Sequence, residues 1–382
     1  MPRFNTLPSG MTGPYTDHHV HLLSTAAARL SIDVSAARSI LDLERIVRAG
    51  ANADGRGWLR AWGYEEWLLA EQRHPSRGEL DRMARGRPLV LHHRSGHAAV
   101  LSSAALAEIG QADHPDGLLF DRHDLLDRVP PLDRQALAVA AGALSREWWT
   151  RGVAAVVDAT HTNGPGELEI LAGWCSKGLI RQEVTAMVSL EHLGSLPPYR
   201  GSVGPIGVGP VKLMPPPSRP GDLSLSVAAA HGAGFPVAVH VVDIDVLDAA
   251  LGAFERSAPP AGSADRIEHN ALCLPEQVDR ISASGATVVV NPGFLLHRRR
   301  KYEAQVAEVE RRWLVRIGSL LRAGVVVRAG SDSPVTPCRP EEILRVAMAH
   351  PFSEGESVTR AEAEAMLAPE PGGFRPERRP SG

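Results

Sequence analysis

From Gly204 onward, short apolar runs alternate with segments whose apolar residues recur at helical spacing. The runs cover residues 208–214, 236–242, 265–269, 286–291 and 325–329. The intervening helices are predicted over residues 223–230, 245–256, 275–284, 312–322 and 340–349. Pro275 opens one of them and Gly285 closes it, while Leu314, Ile317, Leu320 and Leu321 set the 3.6-residue period of another. Five strand-to-helix units in succession predict a parallel sheet with helical crossovers. The first half adds strands over residues 16–23, 153–158 and 182–190, with helices over residues 133–149 and 166–177. Eight strands is the count of an α/β protein of the (β/α)8 barrel type. The barrel is expected to occupy residues 1–368. The stretch of about residues 26–131 is too long for one loop and reads as a large insertion after the first strand, with structure of its own. Residues 369–382, rich in Pro, Gly and Arg, read as a frayed tail.

Composition narrows the function classes. The 382 residues carry a formal net charge of -3, which disfavours a nucleic-acid or polyanion binder. Cys175, Cys273 and Cys338 are too scattered for a disulfide framework or a zinc ribbon. The first 15 residues lack an apolar signal region, and no run approaches the ~18 apolar residues of a membrane span. A cytoplasmic setting with no membrane partner is the expectation. Lys177, Lys212 and Lys301 are the only lysines, so 38 of the 41 basic residues are arginines, a bias typical of GC-rich bacterial genomes. A lysine at a special place in such a chain invites a chemical question, because its amine can do what a guanidinium cannot.

The candidate chemistry sits at strand ends. In Asp17-His-His-Val-His21, His19 and His21 share one face of a strand, about 7 Å apart at Cα, and could converge on one metal ion. Taken alone, the cluster could equally be a solvated one. His240 ends the fifth strand, His269 the sixth, and Asp332 lies just past the eighth. Any one of them could be a satisfied core residue. A barrel, however, opens all its C-terminal strand ends onto one mouth. Imidazole and carboxylate ligands suit Zn, Fe, Mn or Ni, with zinc first. Lys212 stands near the end of the fourth strand. An ammonium beside divalent cations is disfavoured. The lysine could be neutral, could carry CO2 as a bridging carbamate, or could be an ion-paired strand-end residue.

These residues resemble the amidohydrolase superfamily of metal-dependent hydrolases, most closely its YtcJ-like branch related to N-substituted formamide deformylase. The resemblance runs from about Thr16 to Pro351 and rests on Asp17-His-His-Val-His21, Val211-Lys-Leu213, Val239-His240, Arg266-Ile-Glu-His269 and Gly330-Ser-Asp-Ser-Pro334. Arg60-Ala-Trp-Gly-Tyr-Glu65, Glu79-Leu-Asp81 and His93-Arg-Ser-Gly-His97 with Leu101-Ser-Ser-Ala-Ala-Leu106 look like that branch too. The resemblance implies one or two divalent ions at the mouth. It places His19, His21 and Asp332 on the more buried ion, His240 and His269 on the second, and Lys212 between them as a carboxylysine. Family members usually place a β-sandwich around the barrel, built from residues before the first histidines and from a C-terminal return. Here it is expected to be missing or vestigial, leaving barrel surface that a homo-oligomer could cover. Met214-Pro-Pro-Pro217 also stands where the branch usually has an Asp-Gly element.

The expected reaction is hydrolysis of a small-molecule amide, formamide or cyclic amide at its C–N bond. A divalent ion lowers the pKa of water from about 16 to about 7. Asp332 would take a proton from the attacking water and return it to the leaving nitrogen. His97 in the insertion is a candidate substrate contact or a packing residue. Arg298, in the basic run 298–301 after the seventh strand, could recognise a substrate carboxylate or phosphate, or lie in a solvated loop. Two rivals remain: a mononuclear deaminase or decarboxylase that does not need Lys212, and a non-catalytic barrel acting as a binding protein.

Overall fold

The computed structural model describes residues 13–51, 57–215 and 223–369. The N-terminal stretch to residue 12, Pro216, Pro217 and the tail beyond Pro369 lie outside the described residues. The chain divides into two compact units, one joining Met1–His21 to Gly142–Gly382 and the other comprising Leu22–Ala141.

The first unit is built on eight parallel strands: β1 (Tyr15–Val20), β2 (Val153–Asp158), β3 (Glu183–Val188), β4 (Ile206–Leu213), β5 (Val237–Val241), β6 (Arg266–His269), β7 (Thr287–Val290) and β8 (Val327–Ala329). They pair in that order. Just beyond β8, Ser333 bridges Val20 in parallel. Asp332 N donates to His19 O at 2.7 Å and His21 N to Ser333 O at 2.8 Å, so the sheet nearly closes into a (β/α)8 barrel. All residues of β1 and of β4 are buried, as strands covered on both faces must be. Gly330 permits the closure, because a Cβ there would lie 2.6 Å from the backbone nitrogen of His19.

The helices connect the strands much as their periodicity predicts. Pro275–Ser284 starts on its proline and stops at Gly285, whose φ of 67° a glycine tolerates without steric cost. The helix predicted over residues 312–322 is shorter. Ile317–Arg322 is helical, preceded by a 3-10 segment, Glu308–Trp313. Leu314 pairs with Leu272, and Val315 N donates to Ala271 O at 3.1 Å. That backbone is spent on tertiary hydrogen bonds, so the helical period cannot be honoured there. Two short helices, Gly293–His297 and Arg299–Gln305, follow β7. A last helix, Arg360–Met366, brings Leu367 O to Thr16 N at 2.7 Å and Ala365 O to Arg328 at 2.9 Å.

The Leu22–Ala141 unit has a five-stranded sheet of Ile32–Asp33, Leu59–Tyr64, Leu89–His93, Ala98–Leu101 and Leu118–Phe120. Its first three strands are parallel and the rest antiparallel. Leu43 and Val47 from helix Ile40–Gly50 and Leu80 from helix Arg77–Ala84 pack on Leu89 and Leu91 in a core of this unit's own. Among the described residues, no helix is long and apolar enough to cross a membrane.

Candidate metal centre

Parallel strands deliver their C-terminal ends to one mouth. There His19, His21 and Asp332 each offer a ligand atom, all within 4.8 Å of one another. Asp332 Oδ1 lies 3.0 Å from His21 Nε2 and 3.4 Å from His19 Nε2. The His269 ring is centred 4.6 Å from that of His19 and 4.5 Å from that of His240. The register of β1 on β2 slips by one residue between Asp17 and Val20, a bulge of the kind that re-aims side chains beside functional sites.

The imidazoles are oriented from behind. His19 Nδ1 donates to Glu268 Oε2 at 2.5 Å, so its Nε2 carries the lone pair that faces Asp332. Asn291 Nδ2 donates to Gly330 O at 2.9 Å, which turns its Oδ1 to receive His269 Nδ1 at 2.7 Å. His21 Nδ1 lies 3.1 Å from Thr160 Oγ1. Metal-binding histidines are fixed in this way, one nitrogen held by an outer partner and the other left to the ion. His19 Nε2 is a buried atom without a hydrogen-bond partner, and so is Lys212 Nζ. A buried polar atom left so is costly unless something else satisfies it. The donor set, two imidazole nitrogens and a carboxylate oxygen with two further imidazoles close by, fits a divalent transition ion.

The electrostatics fit a cation as well. Burial, then the charge of Lys212, push His19 well below the ordinary histidine range, against the opposing pull of Asp332. Burial, then the charge of Lys212, do the same to His269. Both rings are therefore neutral at physiological pH, the form that ligates. Burial alone would raise Asp332, but its contact with His21 and the charge of Arg298 bring it below the ordinary carboxylate range. Glu268, fully buried, is likewise held low despite burial by Arg266 and Lys212. Lys212 is 3% exposed. Burial lowers its amine to about 8, against the raising influence of Glu268 and Asp332.

Backbone geometry at the mouth is unusual. His269, Asn270 and Asp332 have φ of 71°, 44° and 58°, a region that costs residues with a Cβ of order 1–3 kcal/mol each. Such conformations persist where the surroundings over-determine them, which is typical of functional sites.

Six of the residues singled out in the sequence therefore meet at the mouth: His19, His21, Lys212, His240, His269 and Asp332. Arg298 lies over the Phe294 ring at 4.4 Å, Phe294 stacks on His269, and the Arg298 charge acts on Asp332. The neighbouring Arg299 is turned to Glu303 at 2.8 Å. His97 belongs to the other unit, where its Nδ1 lies 2.8 Å from Asp121. Sequence reasoning missed Glu268, Asn291 and Thr160. The signal for each was its position at or just past the C-terminal end of β6, β7 and β2, where polar residues in apolar runs had already marked the histidines.

A sequence profile described as the amidohydrolase family matches residues 11–368. Among curated relatives, YtcJ of Bacillus subtilis (strain 168), named as an amidohydrolase, is 23% identical over 85% of this chain and 70% of its own length. The N-substituted formamide deformylase of Arthrobacter pascens is 26% identical over 94% of this chain and 78% of its own. Among solved structures, an uncharacterized metal-dependent hydrolase from Pyrococcus horikoshii superposes with a TM-score of 0.72 at 20% identity, covering 91% of this chain and 78% of that one. Its counterpart from Pyrococcus furiosus gives 0.70 at 22%, covering 91% and 79%.

Proposed function

The chain belongs to the amidohydrolase family of metal-dependent hydrolases, and from that premise we propose that it hydrolyses the C–N bond of a small amide, formamide or cyclic amide. The observation that carries this reading is the convergence of His19 Nε2, His21 Nε2 and the Asp332 carboxylate within 4.8 Å, with the outer nitrogen of each ring held from behind. These three residues would hold one divalent ion, zinc first among the candidates. His240 and His269 would hold a second. When bound, such ions polarise a carbonyl and lower the pKa of water.

The protein's own groups do the rest. Asp332, kept ionised by its neighbours, takes a proton from the attacking water and passes it to the leaving nitrogen. An amide is the substrate class that needs this, because its amine is a poor leaving group until protonated. The relative named for deformylation of N-substituted formamides points the same way. Arg298, over the Phe294 ring and close enough for its charge to act on Asp332, would receive a substrate oxygen. Lys212 supplies the remaining ligand. With its amine lowered to about 8, part of it is neutral near pH 7, and only the neutral amine adds to CO2, releasing a proton to give a carbamate. Arginine could not replace it.

The His19, His21 and Asp332 cluster would also serve a single ion, as a deaminase or decarboxylase would use it. The test is a panel of N-formyl, N-acyl, cyclic amide and carbamate substrates offered to protein of measured metal content. Metal-dependent release of an amine with the matching acid is expected. Fully metal-loaded protein that deaminates or decarboxylates, and cleaves none of the panel, would overturn the amidase reading.

A further inference from the structure

The N-terminal end of the same barrel opens onto a cavity of about 450 Å³. Barrels of this class usually fill their interior with bulky branched side chains. Here β1, β3 and β7 line the space with Thr16, Thr185 and Thr287, β2 with Ala155, and β4 with Gly209. The volume falls within the ~300–1,000 Å³ typical of small-ligand sites. Its lining is charged as well as apolar. Arg328 gives one guanidinium nitrogen to Ala365 O at 2.9 Å.

The charge of the lining sets the sign of the ligand. Arg200, Arg266 and Arg328 face the cavity with one carboxylate, Glu183. Arg266 is committed, its Nε to Glu268 at 2.7 Å and its Nη2 to His18 O at 2.9 Å. Arg200 lies over the Tyr199 ring at 5.3 Å, and neither it nor Arg328 has an ion-pair partner among the described residues. Val157 and Val208 add apolar wall. We propose that this cavity is a binding site for a small organic anion, a carboxylate with a short apolar body, separate from the metal centre. Arg328 and Arg200 supply the charge, and the small side chains of β2 and β4 the room.

The proposal does not depend on which reaction the mouth performs. Its test is calorimetric titration of the metal-loaded protein with hexanoate, and with hexanamide as the uncharged isostere. Millimolar or tighter hexanoate binding is expected, with hexanamide weaker by about tenfold or more, as loss of a charge-assisted hydrogen bond implies. Arg328→Gln, and Ala155→Leu to fill the space, should weaken hexanoate by a similar factor while metal content stays unchanged. Arg200→Gln, at an exposed position where folding is not at stake, should weaken it less but measurably. Hexanoate binding that is indifferent to all three substitutions would place the carboxylate at the metals and overturn the site. An absence of binding at millimolar concentration would mean that the cavity holds only water, and would overturn it equally.

Discussion

At their C-terminal ends the eight strands present His240, His269 and, by way of the β1 bulge and the turn after β8, His19, His21 and Asp332. At their N-terminal ends the same strands present Thr16, Thr185 and Thr287 around a cavity. The two ends share one hydrogen-bonded sheet and differ in what their side chains require. At the mouth, imidazole nitrogens and a carboxylate converge, in a backbone bent into left-handed conformations at His269, Asn270 and Asp332. Such an arrangement calls for a cation at its centre. At the floor, none of the lining strand residues has a left-handed backbone, and the charges without an ion-pair partner are guanidiniums, which call for an anion. Between them run Arg266, Glu268 and His19, in contact at 2.7 Å and 2.5 Å. A barrel separates two chemistries simply because its strands are parallel.

The comparison breaks most sharply at the mouth. His19→Ala with His21→Ala should lower metal affinity by more than about a thousandfold, since two of three ligands of one ion go, and activity should vanish with it. Circular dichroism should report an intact barrel, and hexanoate titration should be unaffected. A double variant that keeps its metal would place the ion elsewhere.

Next comes Lys212→Ala, which should lose at least one metal equivalent and most activity, read by elemental analysis and turnover. A short carboxylic acid with excess metal should restore part of both, and Lys212→Arg should restore neither. A variant with undiminished metal and activity would favour the single-ion site.

Glu268→Gln removes the anion that holds His19 Nδ1. Metal affinity should fall about 10–100-fold, the usual effect of losing an outer partner, while the ligands themselves remain. The melting temperature of the metal-free variant distinguishes a positioning role from general destabilisation. A fall in affinity no larger than the fall in stability would count against positioning.

The smallest effect concerns the relay. Saturating hexanoate at the floor should change metal affinity at the mouth by less than about tenfold, and metal should change hexanoate affinity by the same factor, because linkage is reciprocal. Two titrations check it, and unequal factors would show that hexanoate also binds the metals.

The two ends were unequally legible in the sequence. Parallel strands buried on both faces read as apolar runs, so all eight are recognisable from residues alone, and the histidines interrupt those runs where a barrel opens. Lys212 stands out against a background of arginines. The supporting residues are harder to see. Asn291 reads as a turn residue before Pro292, and Thr160 as loop, since their roles depend on partners far along the chain at His269 and His21. The helix over residues 312–322 is interrupted because Leu314 and Val315 pair with Leu272 and Ala271, a tertiary demand that no local period reveals. The floor leaves almost no trace in the sequence. Thr and Ala are ordinary in strands, and a cavity is a lack of volume summed over five of them.

The most direct test is anomalous diffraction at the absorption edge of the metal found in purified protein. The account predicts a peak within ligand distance of His19 Nε2, His21 Nε2 and an Asp332 oxygen, with any second peak between Lys212, His240 and His269. A strong peak away from these residues, or fully active crystals with no peak at the mouth, would contradict it.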